Sequence, residues 1–153
     1  MLYIFDLDGT AIDSSHRANT LADGSLNLAA WRENSTPKMI ALDRLLPLGE
    51  PWRDMVARGL DGTGVKIAIM TARVMGQGDL DYLDDNGLAY DYIYSRNEGD
   101  HMPDDMLKKI MLHRLARDMG RSMKWLQNFA WFYDDNLGVI EMGCDLGINM
   151  VNS

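Results

Sequence analysis

Cysteine is almost missing from this chain: its 153 residues hold one, Cys144. A single thiol excludes an internal disulfide framework and suits a reducing, cytoplasmic setting. Long apolar runs are missing as well. No stretch reaches the roughly 18 residues of a membrane span. Met1 is followed at once by a strand-like run, so neither a leader peptide nor a membrane anchor is expected. Positive charge is in deficit, with 15 Lys and Arg against 23 Asp and Glu, a net of −8. That disfavours holding nucleic acid by a general basic surface, though not by a local basic pocket. Repeats, low-complexity tracts and linker-like segments are absent, so one domain over 1–153 is expected, long enough for a real core.

What is present is 46% hydrophobic and 25% charged residues, the composition of a soluble globular protein. The 12 methionines read as adaptable core filler. Short β-rich runs alternate with helical patterns. "LYIF" (2–5), "VKIAIMTA" (65–72), "YDYIYS" (90–95), "FAWFYD" (129–134) and "LGINMV" (146–151) read as strands. The second is apolar nearly throughout, the mark of a strand covered on both faces. Helices are expected near 26–34, from Pro37 to 59 with interruptions at Pro47, Gly49 and Pro51, over 78–86, over 103–119 and over 137–143. Gly87 and Gly120 stand where helices end. Met106, Ile110, Leu112 and Leu115 are expected to form the apolar stripe of the longest helix. Asp61-Gly62 reads as a turn. The class is α/β, with a mostly parallel central sheet flanked by helices.

In such sheets ligands bind beyond the carboxyl ends of the strands. The first strand ends in Asp6 and Asp8, the second in Thr71 and Arg73, the third in Arg96, the fourth in Asp134 and Asp135, and Lys108 lies early in the long helix. Carboxylates, a hydroxyl and cations therefore meet at one edge. This set suits phosphoryl transfer through an aspartyl phosphate. A carboxylate attacks phosphorus, and water hydrolyses the acyl phosphate formed. Nucleophile and phosphate are both anionic, so a hard cation such as Mg²⁺ is expected, with Asp6 and Asp134 as natural ligands. Asp8 can protonate the leaving oxygen and then deprotonate the attacking water; its backbone carbonyl can also face the metal. Thr71 can bond a phosphoryl oxygen, and Lys108 can neutralise charge on phosphate and nucleophile together. Asp135 suits a metal ligand, direct or through water.

These residues, in this order, resemble the haloacid dehalogenase (HAD) superfamily of phosphohydrolases. Its four motifs correspond to "DLDGT" (6–10), "IAIMTAR" (67–73), Lys108 and "FYDDN" (132–136). The resemblance implies a Rossmann-like HAD fold, here with a minimal cap, and 11–36 as a flap over the active site. Arg17, eleven residues past Asp6, and "RNEGDHMPDDMLK" (96–108) narrow it to the 3′-phosphatase domain of bacteriophage polynucleotide kinase and its relatives, which carry R-x-x-G-D-x-x-x-D-D-x-x-K. On that resemblance Arg17 and Arg73 would bind the scissile phosphate and Asp104 would orient Lys108. No G-x-x-x-x-G-K-[ST] occurs, so no kinase half is expected within these residues.

The leading expectation is a Mg²⁺-dependent phosphatase removing 3′-phosphate from nucleic-acid ends. The alternative is a small-molecule phosphatase such as a nucleoside monophosphate 5′- or 3′-nucleotidase, which the acidic charge and small size suit. A receiver-like signalling domain is remote, because its acidic pair precedes its phosphorylated aspartate. Trp31 suits either base stacking or local anchoring. Arg114, Arg117, Arg121 and Lys124 suit either a polynucleotide groove or a solvated helix face. The expected location is the cytoplasm, that of a host if a phage carries the gene; the oligomeric state has no signature.

Overall fold

Four apolar residues, Leu2–Phe5, make strand β1 at the centre of the molecule. The computed structural model describes residues 1–17, 21–22, 27–57 and 64–153. In them β1 pairs in parallel with β4 (Lys66–Met70) on one side and β6 (Ala130–Asp134) on the other. β5 (Tyr92–Tyr94) and β7 (Asn149–Asn152) complete a five-stranded parallel sheet in the order β5-β4-β1-β6-β7. Between strands run α4 (Gln77–Asp85), α5 (Asp104–Asp118), α6 (Met123–Phe129) and α7 (Leu137–Asp145). The expected α/β class with a mostly parallel sheet is what the chain adopts.

Alternation along β1 divides the core. Leu2 and Ile4 face a cluster with Met111, Leu112 and Leu115 of α5, Leu126 of α6 and Val139 of α7. Phe5 faces the opposite cluster, with Ile67, Ile69 and Leu83. There the Trp52 ring stacks on Phe5 at 4.6 Å between centroids. Trp52 belongs to α3 (Gly49–Ala57).

Between β1 and α3 the chain makes β2 (Ile12–Asp13), α1 (Leu28–Glu33), α2 (Pro37–Ile40) and β3 (Arg44–Leu45), with β2 and β3 antiparallel. The single interrupted helix expected over 37–59 is thus two helices around a short strand. Thr36 caps α2 by accepting from Met39 N, and Pro37 takes the first helical position. Asp61-Gly62, the start of the 26–34 helix and the end of the 37–59 segment lie outside the described residues. Among the described residues no helix is long and apolar enough to cross a membrane.

The α5 stripe is rotated from expectation. Met106 and Ile110 are exposed, whereas Asp104, Leu107, Lys108, Met111, Leu112 and Leu115 are buried. Lys108 takes a place on the inward face, and the i, i+3, i+4 neighbours of Lys108 follow it. α6 has no counterpart in the expected elements. Ser122 caps it by accepting from Trp125 N, and Phe129, expected in a strand, is its last residue.

Candidate active site

Register brings the acidic residues together. Phe5 pairs with Ile69 on one side and Tyr133 on the other, so the next residues, Asp6 and Asp134, leave the sheet side by side. α5 delivers Lys108 between them. Its Nζ donates to Asp6 Oδ1 at 2.8 Å and Asp134 Oδ2 at 2.7 Å, with all three side chains nearly excluded from water. Burial, then the Asp134 charge, push the Asp6 carboxyl well above the ordinary carboxylate range. For Lys108, burial favours the neutral amine, but Asp134 and Asp6 outweigh it and hold the ammonium form.

Asp135 completes the acidic edge. Gly9, at φ +74°, turns the chain so closely past it that a Cβ there would stand 2.2 Å from Asp135 Oδ2. Thr10 Oγ1 donates to Asp6 Oδ2 at 3.0 Å and lies 3.4 Å from Asp135 Oδ1. Asp6, Asp134 and Asp135 each offer a carboxylate oxygen, all within 4.8 Å of one another. An all-oxygen, anionic donor set of this kind fits Mg²⁺, which takes one or two carboxylates and keeps several waters. Burial, then the neighbouring Asp134 charge, raise the Asp135 carboxyl above its ordinary value, which Lys108 offsets only in part.

Asp8 points away from this cluster. Its carboxylate accepts from Arg73 Nε at 3.1 Å and Nη2 at 2.5 Å, and from the Ser14 hydroxyl. Burial would raise its pKa, but the Arg73 charge and hydrogen bonds, with Ser14 and Arg17, bring it below the usual value. The Asp8 side chain is therefore no member of the three-carboxylate set. Thr71 is fully buried at the end of β4, and its Oγ1 accepts from Arg73 N at 3.1 Å.

Behind Asp8 lies a buried ionic network. Arg73 Nη1 donates to Asp79 Oδ1 at 3.0 Å, and Arg17 Nη1 lies 3.0 Å from the same oxygen. Arg17 Nη1 also donates to Asp43 Oδ2 at 2.7 Å. Both guanidiniums lie against the Trp31 ring, 4.0 Å and 4.7 Å from its centre. Trp31 is thus an anchor for two cations. His16 reaches the Met39 carbonyl at 2.7 Å and Asp43 Oδ1 at 3.2 Å, outside the acidic cluster.

Asp104, expected as the residue that orients Lys108, accepts from Arg96 Nη2 at 2.8 Å. Arg96 is buried and also donates to the carbonyls of Ala72 (2.9 Å), Asp100 (3.1 Å) and Met102 (2.7 Å). It ties the end of β4, the loop between β5 and α5, and the start of α5 into one piece. Ser14, Asp43 and Asp79 escaped the sequence reading. Asp79 carried one local signal: its Oδ2 accepts from Gly76 N, as an acidic residue at the third helical position does.

A cavity of about 370 Å³ opens beside Arg73. Trp31, Ile40, Val74, Met75, Gln77 and Glu98 are among its lining residues.

Comparison with known proteins adds the family. The model of the bacteriophage T5 5′-deoxynucleotidase family matches residues 1–153, the whole chain. The chain belongs to this family. No curated protein sequence matches it. This T5 5′-deoxynucleotidase family member is similar in fold to a chain of the Pnkp1/Rnl/Hen1 complex, with 18% identity and a TM-score of 0.67. The match covers 99% of this chain and 45% of that one, so the family member spans less than half its length. A HAD-superfamily hydrolase of subfamily IA from Geobacter sulfurreducens has 16% identity and a TM-score of 0.63, over 99% of this chain and 88% of its own. A hydrolase from Streptococcus pneumoniae has 17% identity and a TM-score of 0.60, over 98% and 90%. The expected fold, that of HAD-superfamily hydrolases, holds for this family member.

Proposed function

We propose that the protein hydrolyses deoxynucleoside 5′-monophosphates to the deoxynucleoside and inorganic phosphate. The family match over the whole chain carries this choice of substrate. It favours the nucleotidase alternative over the 3′-phosphatase expectation, and the geometry supplies a reason. The R-x-x-G-D-x-x-x-D-D-x-x-K segment that pointed to nucleic-acid 3′ ends has an architectural role here. Arg96 pins the loop, Gly99 turns it at φ +83°, Asp100 accepts from Met102 N, Asp104 receives Arg96, and Lys108 enters the site. Such a segment delivers a lysine whatever the leaving group is.

In the proposed reaction an Asp6 oxygen attacks phosphorus and the bond from phosphorus to the 5′ oxygen breaks. Asp8 gives its proton to that oxygen. Water then attacks the acyl phosphate, Asp8 takes a proton back, and phosphate leaves with Asp6 restored. Lys108 stays against Asp6 and balances the phosphoryl charge. Thr71 bonds a phosphoryl oxygen. Asp8 is ionised while Arg73 grips it, so the acid step requires Arg73 to turn its charge to the incoming phosphate. Arg17 holds Asp79 and Asp43 behind it and would join Arg73 on the phosphate. Asp6, Asp134 and Asp135, with the Asp8 carbonyl, would hold Mg²⁺, which when bound offsets the repulsion between the anionic phosphate and nucleophile. The described parts of segment 11–36 would serve as the flap; residues 18–20 and 23–26 of that expectation lie outside the described residues.

A phosphate-release panel tests the reading. Deoxynucleoside 5′-monophosphates should exceed their 3′ isomers and 3′-phosphorylated oligonucleotides at least tenfold in kcat/KM, and Asp6→Asn should abolish release. A preference for 3′ ends would overturn it.

A further inference from the structure

The cavity beside Arg73 lies on the side of the site where the leaving group must emerge. Three observations fix that side. Asp8, the acid for the leaving oxygen, turns its carboxylate from the Asp6, Asp134 and Asp135 cluster toward Arg73. Arg73 lies against Trp31 and bonds Asp79, and both Trp31 and Asp79 are wall residues of the cavity. The remaining walls come from segment 74–78 after β4 and segment 98–101 after β5. In the strand order those elements stand one and two places from β1, which carries the nucleophile. At about 4.8 Å between strands the offset is about 10 Å, a step across the sheet that suits the reach of a nucleotide from phosphate to base.

The chemistry of the walls agrees. About 370 Å³ lies within the range of small-molecule pockets and takes one nucleoside, with no room for a polymer chain inside it. Leu28, Trp31, Ile40, Val74 and Met75 give apolar surface for the faces of a flat ring. At the mouth, Arg32 Nη2 and Glu98 Oε1 are 3.4 Å apart, and both side chains are largely exposed. They offer a donor and an acceptor to ring-edge groups and join α1 to the β5–α5 loop across the opening.

We infer that this cavity is the nucleobase subsite, walled by α1, α2, segment 74–78 and segment 98–101, and that it selects mononucleotides by enclosing the base. The inference rests on the 5′-deoxynucleotidase reading. The test uses Gln77→Trp and Leu28→Trp, two substitutions that fill the cavity from different elements, α4 and α1, at residues outside the reacting groups. Each protein is assayed with a deoxynucleoside 5′-monophosphate and with deoxyribose 5-phosphate, which lacks the base. The unsubstituted protein should prefer the nucleotide at least tenfold in kcat/KM. Each substitution should raise KM for the nucleotide at least tenfold and change kcat/KM for deoxyribose 5-phosphate less than threefold; this second substrate also reports folding. Equal losses on both substrates, or no loss on either, would overturn the subsite while leaving the nucleotidase reading intact. Failure of the unsubstituted protein to turn over any deoxynucleoside 5′-monophosphate would sink the reading itself and the subsite with it.

Discussion

Lys108 holds its ammonium within 2.8 Å of Asp6 and 2.7 Å of Asp134. It answers the cost of putting two like charges side by side at the ends of two buried strands, β1 and β6, and its removal exposes that cost. In Lys108→Met both carboxylates lose their buried counter-charge, a change worth about 3–5 kcal/mol. The cost depends on pH. Asp6 already has its pKa raised by burial and Asp134, and without Lys108 it rises further. A carboxyl whose folded pKa exceeds its unfolded value binds more protons when folded, so stability falls as pH climbs through the folded pKa. Urea unfolding of Lys108→Met in EDTA should therefore show a larger deficit against the unsubstituted protein at pH 8 than at pH 5. An equal deficit at both values would show that Lys108 matters for packing alone. Activity should fall at least 100-fold, the scale for losing one preorganised charge at a reacting oxyanion.

At the scale of elements, Arg96 decides how α5 meets the sheet. One buried guanidinium serves the carbonyls of Ala72, Asp100 and Met102 and the Asp104 carboxylate. Arg96→Ala would strand all four acceptors and should destabilise the fold by about 3–5 kcal/mol. Arg96→Lys, with one ammonium in place of a planar fork, should recover less than half of that by urea unfolding. Full recovery would mean that charge alone suffices. Elements that pack on the sheet were legible in the sequence where hydrophobic pattern and punctuation agree. β1, β4 and β6 are apolar runs closed by Asp6, Thr71 and Asp134, and α4 and α5 end at Gly87 and Gly120, whose φ values are +69° and +64°. α6 was not legible, because seven residues that run straight into β6 have no break before Ala130. The α5 stripe misled because periodicity counts Met106 and Ile110 as core and Lys108 as surface, whereas the site requires the reverse. The pairings of Asp43 and Asp79 with Arg17 were invisible for another reason, although the capping position of Asp79 was not. Arg17 lies far from both along the chain, and only the tertiary fold unites them.

For the molecule as a whole, charge separates a nucleotide enzyme from a polymer enzyme. The net charge is −8, and the basic residues Arg114, Arg117, Arg121 and Lys124 are exposed around the far end of α5. Arg117 stands nine residues beyond Lys108, about 13 Å along a helix at 1.5 Å per residue. A solvated face accounts for them, since a strand leaving the active site would have to cross the helix to meet them. The cations near the reacting centre, Arg17, Arg73 and Lys108, are buried and spoken for by carboxylates. They can meet one phosphate and cannot line a path for several. Salt should therefore weaken substrate binding only slightly. A protein neutralising six to ten phosphates loses roughly 10³–10⁵ in affinity between about 50 and 200 mM salt. For a deoxynucleoside 5′-monophosphate, steady-state KM measured over that interval at fixed Mg²⁺ should rise less than about threefold, by the same counter-ion argument for a single phosphate. A slope of several decades per decade of salt would instead require a run of phosphates on the surface, and the expectation drawn from segment 96–108, a nucleic-acid end, would then displace the mononucleotide.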